Sequence, residues 1–539
     1  MKAIASLFAA VLWDNDFVPM DNSHGINLGT PNMPVQQAGY RDQFALFMAG
    51  EPWFRAHAQA AAARVAETLR HDILENGAHL ACVHYIGAGM GPTLTLMQQL
   101  QQGGLKDLYR EEPRPAVFAE FLIQCATPPE PRFGGLRKQI AVGDGPTESS
   151  ELFGQLGTAF APSKPELSRR LMGMWRAQGS PHSSFHGATL LKIDADLPGA
   201  SPALGSATFP GQFSVLRHGW GTRRENAVWL LTGNHYVDHS HADEGEVIIY
   251  LHGAPVSVDW GSQYEPRADG AVMHSVALPE RMLEWPWEKD GPPVTSGGEI
   301  WGNHAGTKTT VEEFHGGDGG GWVRSSMIAP DKSFTWTRAV SSAPLGETAS
   351  VVVIQDAYSG NGADGAKVFT LNLCAEGEVE TPRGKVSPTP RLRGYGGNQA
   401  DRRENPSSGE VWPLSAGVNR LRFTGQTWPK HPTGGVDFDV FVMAGQPQEA
   451  LIGNWAHAWH PGGETQQFQE ANGRPFEERQ HILRLRGDGG FRIVLVDWPK
   501  GTPPPQVAIE QTGGDLLIGT EERVLRVGSS GRWHEHRVQ

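Results

Sequence analysis

Residues 234–261 read NHYVDHSHADEGEVIIYLHGAPVSVDWG, and they decide how the chain is organised. His239 and His241 stand one residue apart at the entrance to an apolar run, and Asp259 follows a second such run. In a strand, residues i and i+2 share a face, so the pair points one way. Asp259 comes eighteen residues after His241, where a hairpin brings its carboxylate back beside that ring. His274 lies fifteen residues further on, after the turn GSQYEPRADG. Two or three imidazoles with one carboxylate form a ligand set that zinc accepts. A His-x-His pair alone is more often a solvated strand edge; the returning Asp and the third His favour the metal.

The chain has 539 residues, enough for two or three domains, and a formal charge of −13. That charge argues against general nucleic-acid binding. Three scattered cysteines, Cys82, Cys125 and Cys374, imply neither a disulfide framework nor a cysteine metal cluster. With 67 Gly and 39 Pro, about a fifth of the chain, a turn-rich β protein is favoured. Seventeen Trp suit a sugar cleft, though most serve in cores. The N-terminal MKAIASLFAAVL is near the minimum for the apolar part of a signal peptide, but no small-residue cleavage site follows. An amphipathic helix fits the same residues; a periplasmic or secreted location is the expectation. No segment approaches transmembrane length.

Helical spacing dominates up to about residue 179, with pieces at 43–74, 93–100, 116–125 and 166–177 and Gly/Pro breaks at 128–135 and 143–146. From about residue 205, short β-branched runs take over, as at 213–217, 227–231, 247–251, 351–355, 368–373, 436–442, 491–496 and 516–518. This segregation predicts an α+β multidomain chain: a helical domain over 1–200, an antiparallel β-sheet domain with the metal site over 205–400, and a β continuation over 401–539.

Residues 233–253 fit the first cupin signature, in which His239, His241, Glu246 and a later His such as His274 would hold a metal for oxidoreductase or isomerase chemistry. A longer stretch, QFSVLRHGWGTRRENAVWLLTGNHYVDHSHADEGEVIIYLHGAPVSVDWGSQY, resembles the start of the β domain in the heparinase II/III-like polysaccharide lyases. Arg217, Trp220, His239, His241, Asp243, Asp259 and Gly261 match that family's pattern in order, and Arg338 and Asp356 continue it. The resemblance implies a partial α/α toroid followed by a large antiparallel β-sheet or β-sandwich domain. It implies β-elimination on an acidic, uronate-containing polysaccharide of the alginate, ulvan, glucuronan or glycosaminoglycan type, with unsaturated uronate ends.

The same resemblance assigns roles. Family members carry an Asn or His at the start of one toroid helix and a Tyr near 55–60 residues later; Asn27 and Tyr85 are 58 apart. Asn27, with His24 or Asn22 as alternatives, would neutralise the carboxylate, and Tyr85 would act as base and acid. His239 would face the sugar, and Tyr264 would assist protonation or bind substrate. His84, Asn22 and Arg217 would contact the polymer, and Arg338 could hold uronate or sulfate groups. His241, Asp259 and His274 would hold one structural zinc per chain. The expected partner is an acidic polysaccharide or oligosaccharide, with no nucleic acid and no membrane span; monomer and homodimer stay open. A non-catalytic carbohydrate-binding protein is the third class of reading.

Overall fold

In the computed structural model the described residues are 32–182, 192–237, 239–260, 270–283, 285–286, 301–302, 305–388, 409–428, 431–444, 448–457, 478–521 and 523–535. The expected N-terminal apolar helix, and Asn22, His24, Asn27, Gly261 and Tyr264, lie outside them. The chain forms two compact units. The first comprises residues 1–126, 148–202 and 235–239, and the second 127–147, 203–234 and 240–539.

The described helices of the first unit are α1 (Asn32–Phe47), α2 (Pro52–Asp72), α3 (Val83–Gln102), α4 (Leu108–Glu111), α5 (Arg114–Gln124), α6 (Leu152–Phe160) and α7 (Pro165–Ala177). The single helix expected over 43–74 is two, because Pro52 has no N–H to continue a ladder but starts α2 well with its fixed φ. Phe54, Ala58, Ala61, Val65 and Leu69 then form one buried stripe. Arg64 of α2 grips the Asp42 carboxylate of α1 through both Nε and a terminal nitrogen. Helices α6 and α7 approach closely at Gly157, where a Cβ would meet Met172 Sδ at 2.7 Å.

Among the described residues, the regular structure of the second unit is almost entirely antiparallel sheet. The strands β1 (Ala207–Phe209), β2 (Phe213–His218), β3 (Asn226–Leu231), β4 (Val247–Leu251) and β5 (Ala254–Ser257) form an open meander in chain order. It is not a cupin barrel. Then come β6 (Ala277–Pro279), the short α8 (Glu280–Leu283), β7 (Lys308–Gly317), β8 (Gly320–Ile328), β9 (Thr335–Pro344), β10 (Ser350–Ser359) and β11 (Lys367–Leu373). The chain continues through β12 (Ala375–Thr381), β13 (Gly384–Val386), β14 (Trp412–Pro413), β15 (Gly417–Gly425) and β16 (Val436–Ala444). Next are β17 (Glu449–His457), β18 (Glu478–Gly487) and β19 (Arg492–Pro499). The last four are β20 (Ala508–Thr512), β21 (Asp515–Gly519), β22 (Val524–Val527) and β23 (Trp533–Glu535).

A nine-stranded sheet in the order β13-β12-β15-β16-β19-β10-β9-β8-β7 and a five-stranded sheet in the order β14-β17-β18-β11-β6 share one large core. The division drawn at residue 401 runs through both sheets, since β12 pairs with β15 and β11 with β18. Alternation explains the unbroken apolar runs of β10 and β19. Val352, Ile354, Ile493 and Leu495 face the large core, while Val351, Val353, Val494 and Val496 face a second core closed by Leu516, Ile518, Leu525 and Val527 of the β20–β23 sheet.

Residues 127–147, which the sequence reading placed with the helices, pack in the β unit. Arg132 donates to Glu130 Oε1 and Oε2 at 2.9 Å and to the Tyr250 hydroxyl at 3.1 Å, while that hydroxyl donates to Glu130 Oε2 at 3.0 Å. Arg137 makes a bidentate pair with Glu225 at 2.7 and 2.8 Å and lies 3.7 Å over the Trp220 ring.

Candidate active site and metal centre

The first turn of α3 carries His84 and Tyr85. The His84 ring meets Tyr85 edge-on, with centroids 5.0 Å apart, and its Nδ1 lies 2.7 Å from Glu148 Oε1. Tyr85 is stacked on His239, with ring centroids 3.5 Å apart and planes 3° from parallel. His239 reaches this position because residues 235–239 are tied to the helical unit. Val237 N–H donates to Leu80 O at 2.9 Å, His235 Nε2 donates to Asp72 O at 3.1 Å, and the Tyr236 hydroxyl donates to His239 O at 3.3 Å.

The expectation that His239 and His241 share a strand face does not hold. His239 has φ +57°, the left-handed region, so the alternation of an extended strand does not apply there. The strand begins only at Val247.

His241 belongs to the β unit, where the β4–β5 hairpin and the 271–274 turn bring three groups together. Ligand atoms of His241, Asp259 and His274 all lie within 4.8 Å of one another, and so do those of Asp243, Glu246 and Asp259. All five residues are at most 3% exposed. Each imidazole has one nitrogen on a carboxylate: His241 Nε2 is 2.9 Å from Asp144 Oδ1, and His274 Nδ1 is 2.9 Å from Glu246 Oε2. The opposite nitrogens, His241 Nδ1 and His274 Nε2, have no hydrogen-bond partner among the described residues, and neither do the carboxylate oxygens of Asp243 and Glu244. Two buried, unpartnered imidazole nitrogens on rings held by carboxylates, together with Asp259, whose Oδ2 lies 3.6 Å from His274 Nδ1, supply the donor types a zinc-type ion takes.

The electrostatics agree. Burial alone would drive His274 down, but Glu246 and Asp259 push it up to about 10; burial, then the Glu246 charge, push Asp259 up to about 7. Burial also raises Asp243, and raises Glu244 well above the usual carboxylate range. Carboxylates in excess of cations in a dry pocket hold protons that a divalent ion can replace.

Glu246, a ligand in the cupin reading, instead orients His274 and accepts from Ser275 N–H at 3.1 Å. Arg217 does not present itself to a polymer. It is 2% exposed, with its guanidinium 4.8 Å from the Trp229 ring centroid. Arg338 is likewise buried, in a bidentate pair with Asp356 at 2.8 and 2.9 Å. Sequence reasoning missed Asp144, which lies in a stretch read only as a Gly/Pro break, and Glu148, whose contact with His84 spans 64 residues.

A helical unit and an antiparallel multi-sheet unit make up a heparinase-like polysaccharide lyase fold. A heparinase III structure superposes with TM-score 0.59 over 94% of this chain and 67% of its own, at 13% identity. A second heparinase III gives TM-score 0.57 over 95% of this chain and 67% of its own, at 10% identity. The heparan sulfate lyase HepC from Pedobacter heparinus gives 0.56 over 94% of this chain and 66% of its own, also at 10% identity. The chain thus spans about two thirds of the length of these structures. No family model and no curated protein matches the sequence. Among the described residues no helix is long and apolar enough to cross a membrane.

Proposed function

We propose that the protein cleaves a uronate-containing acidic polysaccharide by β-elimination. The observation that carries the reading is the parallel stack of Tyr85 on His239. Elimination needs a base for the proton alpha to the uronate carboxylate, a donor for the leaving glycosidic oxygen, and neutralisation of the carboxylate so that the enolate-like intermediate is stabilised. Tyr85, as phenolate, takes the proton. The carbon–oxygen bond to the leaving sugar breaks as the ring double bond forms, and the phenol returns its proton to the leaving oxygen. The His239 imidazole, stacked on the Tyr85 ring, lies against the phenol on which the negative charge forms. Glu148 holds the neighbouring His84 in a charge-assisted hydrogen bond. Asn27, with His24 or Asn22, is assigned to the carboxylate.

Zinc bound by His241, Asp259 and His274 would be structural, joining the segment before β4 to the end of the β4–β5 hairpin and to the 271–274 turn. The test is ultraviolet absorbance of unsaturated uronate on alginate, glucuronan, ulvan and heparinoids. Product from one polymer, lost in Tyr85→Phe, supports the reading; a silent panel overturns it.

A further inference from the structure

We infer that Asp144 is a positioning residue for the metal centre: it holds His241 with Nδ1 turned inward, so that ion binding and docking of segment 127–147 reinforce each other. The inference rests on the reading that His241, Asp259 and His274 bind a divalent ion.

The two imidazoles of the cluster are oriented in the same manner but from different sources. His274 is held by Glu246, which precedes β4 in the same stretch as His241. His241 is held by Asp144, 97 residues away in sequence, through a 2.9 Å contact at Nε2. A neutral imidazole so held keeps its proton on Nε2 and presents the Nδ1 lone pair. That Nδ1 is buried and has no partner among the described residues.

Asp144 stands at the tip of a three-residue turn. Gly143 has φ +64°, a conformation glycine adopts without strain, and Gly145 N–H donates to Gly143 O at 2.6 Å. The segment below that tip is fixed by Arg132 and Arg137. Arg132 also donates to Thr147 Oγ1 at 3.3 Å, just beyond the turn. The buried anchors therefore set the turn, the turn presents the carboxylate, and the carboxylate sets the ring.

Coupling of this kind is reciprocal. An ion on Nδ1 polarises the Nε2–H bond and strengthens its bond to Asp144, so the factor by which Asp144 tightens ion binding equals the factor by which the ion tightens docking of the turn.

Zinc affinity is measured on the full chain with a competing chelator, together with amide hydrogen exchange of peptides spanning 140–147 with and without zinc. Asp144→Ala is expected to weaken zinc binding about 10–100-fold. Asp144→Asn, whose amide oxygen still accepts from Nε2–H, is expected to weaken it less. Zinc should slow exchange at 140–147 in the wild type by a factor matching the affinity loss, and should do so no longer in Asp144→Ala. Wild-type affinity in both variants, or equal zinc protection of 140–147 in all three proteins, overturns the inference and leaves the metal site standing. A wild type that binds no zinc overturns both. Should Asp144→Ala fail to fold, Asp144→Asn alone decides, because a purely structural turn residue would leave the zinc affinity of the folded variant unchanged.

Discussion

The rings of Tyr85 and His239 lie face to face, 3.5 Å between centroids, although 154 positions separate them in sequence. The contact is made inside the helical unit, whereas His241, two residues further along, belongs to the β unit. One His-x-His motif is therefore divided between the two units.

Tyr85→Phe removes the phenol oxygen and keeps the ring and its stack. If Tyr85 moves the proton, kcat should fall by roughly 10²–10⁴ with the thermal midpoint nearly unchanged, since general acid–base groups contribute about that much. Initial rates of unsaturated-uronate formation and a circular-dichroism melt check both halves. Retained activity would remove Tyr85 from the mechanism.

His239→Ala should lower kcat on the same order, about 10²–10⁴, yet leave zinc content unchanged if the ion is held, as proposed, by His241, Asp259 and His274. Metal analysis of purified variants decides the point. A variant that lost its metal would mean that His239 is a ligand after all, as a cupin-like centre requires.

Burial holds two histidines neutral, His79 down to about 4 and His218 down to about 3. Each accepts a hydrogen bond, His79 Nδ1 from Ala81 N–H and His218 Nε2 from the Asn226 amide, both at 3.0 Å. Their folded values lie below the unfolded value of about 6.5, so the unfolded chain binds more protons. The stability they contribute is complete above about pH 6.5. It is lost as pH falls, at up to about 1.4 kcal/mol per pH unit per group, until about 4 for His79 and about 3 for His218. Urea midpoints between pH 7 and 4 should fall less steeply for His79→Gln and His218→Gln; slopes equal to wild type would contradict the assignment.

Asp356→Ala strands the Arg338 guanidinium in the core, at a cost of about 3–5 kcal/mol. Arg338 also donates to Gly245 O at 2.7 Å and Ser275 O at 2.6 Å, next to Glu246 and His274. Zinc affinity of the folded variant should therefore drop as well. Replacing both partners with apolar residues should cost less than Asp356→Ala, as denaturant titration would reveal.

The strands were readable from their apolar runs, because β-branched residues in both registers mark sheets covered on two sides. The grouping of His241 with Asp259 followed from hairpin arithmetic. What escaped is what the tertiary fold decides. Asp144 and Glu148 sit among Gly, Pro and Ser, where local pattern carries no sign of a partner 97 or 64 residues away. Arg217 and Arg338 look like cations awaiting an acidic sugar, since sequence shows charge but not burial. The direction of His239 depends on one left-handed backbone angle, which a period-two rule cannot register.

The chain passes between its two units five times, after residues 126, 147, 202, 234 and 239. Neither unit is thus a contiguous stretch that can be excised. A fragment beginning at residue 203 would lose Glu130, Arg132, Arg137 and Asp144 together, stripping the β unit of two buried ion-pair anchors and of the carboxylate behind His241. Dissection of this protein will succeed by point substitution, or by circular rearrangement that keeps 127–147 attached, and not by truncation at the apparent helix-to-strand border.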